Sequence, residues 1–338
     1  MGARALMARA IRIWLVLGVA ACVAVFVALT TGSMRIAVGE VASVLVRPDA
    51  SMASDVVHNL RWPRAMAAFA TGGLLALAGA LMQVLLRNPL ADPYVLGLSG
   101  GAAVGALLAM LAGLAGALLG AAAFAGALLS MAIVFALAHR DLSGHAPAAD
   151  ADVSSRLLLT GIVLAAGWSA LVTLLLTIAP ERELRGILFW LMGDLGGATT
   201  YVPPFVALVT AVIVLLPQGR ALNVMLRGPV VAQSLGVPVT RVRRMLFVIA
   251  SVATALAVTT AGTIGFVGLI VPHALRLAIG NDQRVLLPAS ALAGGTLLVL
   301  ADTLARTVIA PQQLPVGAIT AVLGAPVFIA LLLRRGAR

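Results

Sequence analysis

The chain has 338 residues, of which 62% are hydrophobic and only 10% are charged. A soluble domain carries about 25% charged residues, so the composition excludes that class and predicts a polytopic membrane protein with one domain over residues 1–338. All 23 basic residues are arginine, and Cys22 is the single cysteine. The lack of lysine excludes a P-loop nucleotide site, and one cysteine excludes disulfides and cysteine metal clusters within the chain.

The N-terminal segment has two interpretations. Residues 1–12 carry three arginines, and residues 13–29 form an apolar run. A basic start before an apolar centre is typical of a signal peptide, but this run is long and the rest of the chain is equally apolar. We therefore predict an uncleaved first span, with cleavage as the alternative.

Apolar runs long enough to cross a bilayer as helices recur along the chain. The run at residues 65–86 is interrupted only by Thr71 and Gln83, and it corresponds to about 33 Å of helix. Eight runs follow it and complete a prediction of ten transmembrane helices: residues 95–111, 114–138, 157–178, 202–216, 245–261, 262–278, 286–304 and 316–333.

Polar segments separate these runs. Residues 34–60 are too polar to span, and the stretch 41–46 within them predicts a short surface helix. Residues 139–152 hold three Asp and two His, which a solvated loop explains better than a metal site. Residues 180–197 predict an amphipathic surface helix whose glutamates pair with nearby arginines rather than act as acid and base.

The distribution of arginine predicts the orientation. With ten spans, both termini lie on one side, together with the loops near residues 87, 140–156, 220–244 and 276–284. That side holds 16 arginines and five acidic residues, whereas the other side holds seven of each. Because basic loops stay cytoplasmic, we predict that both termini are inside the cell.

Three arginines gather at the predicted outer side. Arg61 and Arg64 are three residues apart and share a helix face, and Arg306 follows a span that ends on the same side. Asp302 precedes Arg306 by one helical turn. The three arginines either form structural ion pairs or dock acidic residues of an extracytoplasmic partner, because the guanidinium fork fits a carboxylate. The residues alone leave both readings open.

A basic stretch on the predicted inner side, which we call the coupling segment (residues 218–244), carries five arginines and no acidic residue. Gly228-Pro229 and the Gly-Val-Pro at residues 236–238 divide it into two short helices. An ordinary basic loop is one interpretation. The mixed apolar and basic character of the stretch, and the lack of a nucleotide site in the chain, favour a docking surface for a cytoplasmic motor.

Five motifs spread over nearly the whole chain are highly specific when taken together. They are Arg-Trp-Pro-Arg at residues 61–64, Gln83 with Arg-Asn-Pro-Leu-Ala-Asp-Pro at 87–93, Gly-Thr-Ile-Gly-Phe-Val-Gly-Leu-Ile-Val-Pro-His at 262–273, Asp302 with Arg306, and Leu-Pro-Val-Gly at 314–317. In these motifs the chain resembles the FecCD family of ABC importer permeases. Residues 155–159 and 190–193 are similar to segments of its vitamin B12 permeases, and haem and ferric-siderophore permeases share much of the pattern.

The resemblance implies a function and a set of partners. The chain would be the permease subunit of a binding-protein-dependent importer for a bulky metal chelate: cobalamin, haem or a ferric siderophore. It would work in the bacterial inner membrane as a homodimer with two cytoplasmic ATPase subunits, which hold ATP and Mg, and with a periplasmic substrate-binding protein. This chain itself would bind no cofactor, metal or nucleic acid and would not be an enzyme.

The resemblance also implies three sites. Docking of the binding protein maps onto Arg61, Arg64 and Arg306. The inner gate maps onto Asn88, Leu90, Ser154 and Ser155. Coupling to the ATPase maps onto Leu226, Arg227, Gly228, Val231, Ala232, Ser234, Leu235 and Gly236. Family members often have an acidic residue after the coupling glycine, whereas this chain has Pro229, so the detailed ATPase contacts stay open.

Two other classes of protein are alternatives to an importer permease. A secondary transporter coupled to protons or ions would need no ATPase, but it uses acidic or His side chains inside its spans, and the predicted span interiors are almost free of them. A membrane-embedded enzyme would need paired carboxylates, a His or a nucleophile arranged within the bilayer. The sequence shows no such arrangement.

Overall fold

In a computed structural model of the protein, the described residues are almost entirely helical. The structure describes residues 3–32, 34, 36–137, 150–198 and 200–336, and it describes side chains for residues 7–32, 34, 36–137, 156–198, 200–331 and 333. No strand occurs within these ranges, which confirms the predicted all-α class. The loop predicted at residues 139–152 lies outside them, apart from residues 150–152 at the start of a helix.

The helices are numbered in chain order. They are α1 (Ala3–Thr30), α2 (Val38–Val46), α3 (Met52–Asp55), α4 (Trp62–Leu85), α5 (Leu98–Leu111), α6 (Ala117–Leu137), α7 (Asp150–Ile178), α8 (Glu181–Leu191), α9 (Val202–Leu215), α10 (Gly219–Met225), α11 (Pro229–Ser234), α12 (Val239–Ala261), α13 (Val267–Ile279), α14 (Gln283–Thr307) and α15 (Val316–Gly336). A π-helical turn, Val56–Arg61, joins α3 to α4, and 3-10 turns lie at Pro93–Leu96 and Leu216–Gln218.

Seven helical stretches of the described chain are long and apolar enough to cross a membrane, and three shorter helices are also apolar. The seven are Met7–Thr30, Met52–Leu85, Ala117–Leu137, Arg156–Ile178, Val202–Met225, Val239–Ala261 and Gln283–Thr307. The three are Leu98–Leu111, Val267–Ile279 and Val316–Leu331. Every predicted run therefore falls on a helix, while the count of ten crossings and the side of each terminus stay predictions.

One of the predicted runs has a wrong boundary. The run at 262–278 begins with five residues that are not helical, and α13 starts only at Val267. Gly262 and Phe266 both have positive φ angles, 67° and 69°, a conformation that ends a right-handed helix. Hydrophobicity alone does not reveal this break, because none of the five residues is charged.

Helix α4 is the centre of the molecule. Nearly all its residues from Ala65 to Leu85 are buried, and α1, α9, α12, α13 and α14 contact it. Its many Ala and Gly residues allow close approach of neighbouring helices. Gly72 on α4 faces Gly294 on α14, where a Cβ added to either glycine would lie within 2.4 Å of the other's carbonyl oxygen. The helix that contains the predicted run at residues 65–86 is therefore also the core of the fold.

Candidate docking, gate and coupling sites

The three arginines predicted to dock a partner, which we call the arginine cluster, lie together at the N-terminal end of α4 and are mostly buried. The exposed fractions of Arg61, Arg64 and Arg306 are 6%, 9% and 8%, and that of Asp302 is 2%. The structure thus brings together all three predicted residues and adds one carboxylate among them. The cluster consequently has a net positive charge inside a nearly closed environment.

Asp302 lies between two of these guanidinium groups. Arg64 Nη2 donates to Asp302 Oδ1 at 2.8 Å, and Arg64 Nε lies 3.0 Å from Oδ2. Arg306 Nε lies 3.2 Å from the same Oδ2. Arg64 Nη1 donates to Gln313 Oε1 at 2.8 Å. The structural ion pairs considered for this cluster are therefore present, while its docking role stays a prediction.

The end of α1 covers the remaining donors of the cluster. Arg61 Nη1 donates to the carbonyl oxygen of Leu29 at 2.6 Å, and its Nη2 donates to that of Met34. Arg306 Nη2 donates to the carbonyl oxygen of Ala28 at 3.2 Å. The last carbonyls of a helix have no partner within it and carry partial negative charge. The arginines therefore also stabilise the C-terminal end of α1.

A cavity of about 760 Å³ opens beside the arginine cluster. Its wall includes Gln313, the partner of Arg64, together with Arg182, Arg185 and Asp194. The Arg182 side chain is 85% exposed, so this region offers a more accessible cation than the cluster itself. Sequence reasoning had assigned the arginines of α8 to local ion pairs. Their position at the mouth of a cavity depends on contacts among distant segments.

The turn after α4, which we call the gate turn (residues 87–93), is held by its own polar groups. Arg87 has a positive φ of 47°, and the Leu90 amide donates to Asn88 Oδ1 at 2.9 Å. Leu90 projects outward with 38% of its side chain exposed. Asp92 Oδ1 accepts from the Tyr94 amide at 2.8 Å. The predicted gate residues Asn88 and Leu90 therefore belong to one structured turn.

Burial changes the acidity of two groups at the end of the gate turn. Desolvation raises the pKa of Asp92 to about 6, although the hydrogen bond from the Tyr94 amide opposes it. Desolvation also raises the pKa of the Tyr94 phenol. The phenol oxygen accepts a hydrogen bond from the Ile264 amide at 3.1 Å. This contact fastens the gate turn to the non-helical break that precedes α13.

The other predicted gate residues, Ser154 and Ser155, lie in the second turn of α7, and their side chains are outside the described residues. Further along α7, a Cβ added to Gly161 would lie 2.1 Å from the Val95 carbonyl oxygen. Val95 follows the gate turn by two residues. Backbone contact therefore places the first half of α7 close to the gate turn.

The coupling segment contains the two short helices that the sequence predicted, α10 and α11. Gly228 has a φ of 106° and separates them, and Pro229 occupies the first turn of α11, where its missing N–H is not needed. Ala232 is fully buried, whereas Val230 and Leu235 are 74% and 64% exposed. Helix α11 is thus anchored on one side and presents apolar side chains on the other.

The predicted coupling residues differ in exposure. Leu226 and Gly228 are half-buried and Ala232 is buried, whereas the exposed members are Arg227, Val231, Ser234, Leu235 and Gly236. A Cβ on Gly228 would lie 3.7 Å from Arg87 Nη1. The gate turn and the coupling segment are therefore neighbours. Within the described residues, no group of three or more His, Cys, Asp or Glu side chains is arranged to hold a metal ion.

Comparison with known proteins places this arrangement in a family. Residues 20–334 match the FecCD transport family. The cobalamin import system permease of Halobacterium salinarum is 45% identical over 291 residues, which cover 85% of this chain and 75% of that protein. The vitamin B12 import system permease of Salmonella typhimurium is 43% identical over 282 residues, which cover 82% and 83% of the two chains.

A solved structure shares the fold over almost the full length. It is described as an inward-facing conformation of a putative metal-chelate type ABC transporter, and its chain is 29% identical with a TM-score of 0.83. The match covers 96% of this chain and 99% of that one. The predicted family is thereby confirmed: this multi-pass membrane protein, with a gate turn beside its coupling segment, belongs to the FecCD transport family.

Proposed function

We propose that the chain is the membrane-spanning subunit of an ABC importer that carries cobalamin. The observation that supports this most directly is the identity of 43–45%, over more than four fifths of the chain, with permeases named for cobalamin and vitamin B12 import. Haem and ferric siderophores are the alternative cargoes of the same chelate class. The chain would act in the bacterial inner membrane.

The proposed complex contains two copies of this chain, two cytoplasmic ATPase subunits and a periplasmic binding protein. The exposed apolar side chains of Val230 in α11 and Leu235 directly after it support a docked partner, because both residues lie in the coupling segment rather than in a membrane span. A recess of about 460 Å³ lies beside α11 and is lined by Arg227, Leu235 and Asp282, among others. An ATPase side chain inserted there would meet both apolar and charged groups.

The proposed mechanism assigns the energy source to the partner and the pathway to this chain. ATP binding and hydrolysis on the ATPase subunits move the coupling segments. The two permease copies then rock against each other, and the pathway between them opens to alternate sides of the membrane. The binding protein selects the cargo and docks at the arginine cluster. The pathway itself needs little chemistry beyond a surface to which the chelate does not adhere.

An uptake experiment tests the cargo. The chain is expressed with its native ATPase and binding protein in cells that lack their own importers, and labelled cobalamin is compared with a labelled ferric siderophore and labelled haem. Uptake of cobalamin alone is the expected result. If one of the other chelates is taken up instead, that chelate is the cargo and the cobalamin assignment is wrong. Uptake that persists after deletion of the ATPase gene would overturn the ABC mechanism in favour of an ion-coupled transporter.

A further inference from the structure

A continuous chain of hydrogen bonds joins the gate turn to the coupling segment. It starts at the Ala91 carbonyl in the gate turn and ends at Asn223 in α10. The side chains between these two ends are Gln83 of α4, Arg276 of α13, Asn281 of the loop after α13, and Gln283 of α14. Asn281 also lines the recess proposed for an ATPase side chain, whereas Gln83, Arg276 and Gln283 have no role in the mechanism proposed above.

Gln83 is the member of the hydrogen-bond series that contacts the gate turn. Its side chain is buried, with 2% exposed, in a run that is otherwise almost entirely apolar. Its Nε2 lies 3.4 Å from the Ala91 carbonyl oxygen and 3.3 Å from that of Leu269. Its Oε1 accepts from Arg276 Nη2 at 2.8 Å. A buried amide is costly unless its polar atoms are bonded, so these contacts hold Gln83 in one orientation.

The remaining hydrogen bonds of the series lead from Arg276 to the coupling segment. Arg276 Nε donates to Asn281 Oδ1 at 2.9 Å, and Gln283 Nε2 donates to the same oxygen at 3.1 Å. The backbone N–H of Gln283 donates to Asn223 Oδ1 at 2.8 Å. Asn223 Nδ2 donates in turn to Asp282 Oδ1 at 2.8 Å. The Asn223 side chain therefore attaches α10 to the loop whose Asn281 also binds Arg276.

A purely structural role explains part of this arrangement. Arg276 lies in the last turn of α13, where a cation is favourable beside the partially negative end of a helix. That effect does not require an amide at position 83, and an apolar residue there would continue the run of α4. The placement of Gln83 between Arg276 and the gate turn thus calls for a second role.

We propose that Gln83 and Arg276 are positioning residues that transmit movement of the coupling segment to the gate turn. This inference rests on the proposed function. Hydrogen bonds in a poorly solvated region are strong and directional, so groups joined by them tend to keep their relative orientation when one of them is displaced. Displacement of α10 by the ATPase would shift the Asn281–Gln283 loop, and Arg276 and Gln83 would carry that shift to Ala91.

The coupling ratio of the reconstituted complex tests the proposal. Permease, ATPase and binding protein are placed in liposomes, and uptake of labelled cyanocobalamin and ATP hydrolysis are measured in the same vesicles. For Gln83→Leu, we expect the cobalamin transported per ATP to fall at least tenfold while hydrolysis continues. Thr71→Val, a buried polar position on the same helix, is the matched control and should keep the ratio of the unaltered protein.

A second measurement does not depend on the cargo. A thiol is introduced by Leu90→Cys in a Cys22→Ser background, and its labelling rate is compared with and without ATP and vanadate. We expect nucleotide to change the rate when Gln83 is present and to have no effect in Gln83→Leu. If nucleotide has no effect even with Gln83 present, the proposed ABC function fails rather than this inference.

A double-mutant cycle shows whether the two residues act as one unit. Gln83→Leu, Arg276→Leu and the double variant are compared by coupling ratio, and we expect the double variant to lose no more than the worse single variant. Arg276 is partly exposed at a helix end, so Arg276→Gln supplies the same test if Gln83→Leu does not assemble. Additive losses, or a normal coupling ratio with a normal nucleotide response in Gln83→Leu, would overturn the proposal.

Discussion

Gly79 of α4 and Gly268 of α13 touch through their backbones: a Cβ placed on Gly79 would lie 1.8 Å from the Gly268 carbonyl oxygen. No side-chain rotation relieves such a contact, because the obstructing atom belongs to the main chain. Gly79→Ala must therefore push the two helices apart, and overpacking of a core costs about 1–3 kcal/mol or more. We expect a clear loss of thermal stability in detergent.

Gly18→Ala is the control for this change. Gly18 lies on α1, and an added Cβ would meet nothing within 4 Å. Alanine is the better helix former by about 1 kcal/mol, so this variant should be as stable as the unaltered protein or slightly more so. Equal melting temperatures for Gly79→Ala and Gly18→Ala would contradict the close contact between α4 and α13.

The buried ion pairs of Asp302 lead to a second prediction. Asp302→Ala leaves Arg64 and Arg306 without their shared carboxylate, and removal of one partner from a buried pair costs about 3–5 kcal/mol. Arg182→Ala breaks a contact of 3.6 Å with Glu183 at an exposed site, where pairs contribute about 0–1 kcal/mol. Thermal unfolding should therefore show a large loss for the first variant and almost none for the second. Similar losses would mean that Asp302 is not buried between the arginines.

The raised pKa of Asp92 predicts how stability changes with pH. Its folded-state pKa is about 6 because burial disfavours the carboxylate, whereas an unfolded Asp titrates near about 3.9. Between these values the folded state holds a proton that the unfolded state has lost, so stability falls as pH rises through this window. From pH 5 to pH 7 we expect a loss of about 1 kcal/mol, measured by unfolding at each pH.

Two variants isolate this effect. Asp92→Asn removes the titrating group and should remove the decrease in stability between pH 5 and pH 7 that Asp92 contributes. Asp282→Asn should leave the slope unchanged, because the hydrogen bond from Arg284 lowers the pKa of Asp282 to about 2 and that carboxylate stays ionised throughout the range. A slope that survives in Asp92→Asn would assign the pH dependence to another group.

The docking role of the arginine cluster can be tested at Arg61, whose described contacts are with backbone carbonyls rather than with Asp302. Arg61→Gln retains a hydrogen-bond donor but removes the charge that a carboxylate on the binding protein would meet. We expect weaker capture of the native binding protein in a pull-down, by about tenfold for a charge-assisted contact. Arg47→Gln, at the exposed end of α2, is the control. Equal capture by both variants would remove Arg61 from the docking site.

The coupling role of α11 can be tested at Leu235, the exposed apolar residue directly after this helix. Leu235→Glu places a charge where an apolar partner surface is proposed, and we expect loss of ATPase copurification. Gln233→Glu changes an exposed residue of the same helix that is already polar and should retain the ATPase. Copurification in both cases would contradict docking at Leu235.

Hydrophobicity predicted the helical elements well because each apolar run contains a helix. The predicted run at residues 202–216 differs by one residue from α9, and Gly-Pro punctuation located α10 and α11. The non-helical start of the run at 262–278 was missed, since Gly262 and Phe266 change the backbone direction without changing the polarity. The local hydrophobicity of a segment predicts whether it is buried in lipid or protein, but it does not predict its backbone dihedral angles.

The sites were predictable only in part. Spacing placed Arg61 and Arg64 on one face, and Asp302 one turn from Arg306, but it left open whether these groups pair. The answer depends on the packing of α4 against α14, which brings Arg64 to Asp302 across 238 positions of the sequence. The link between Gln83 and Arg276 spans 193 positions, and the polar interruption of an apolar run was the one local sign of it.

Glycine contacts join helices of the core in two groups. Gly72 and Gly79 bring α4 into backbone contact with α14 and α13, while Gly101 and Gly126 do the same for α5 and α6. Helices joined in this way have no flexible side chains between them to absorb a displacement, so the backbones of each group should move as one body, and the hydrogen bond from Arg276 to Gln83 carries that movement on to Ala91. The gate turn is the covalent link between the two bodies. A small rotation of one body relative to the other would therefore bend the gate turn and displace the Leu90 side chain.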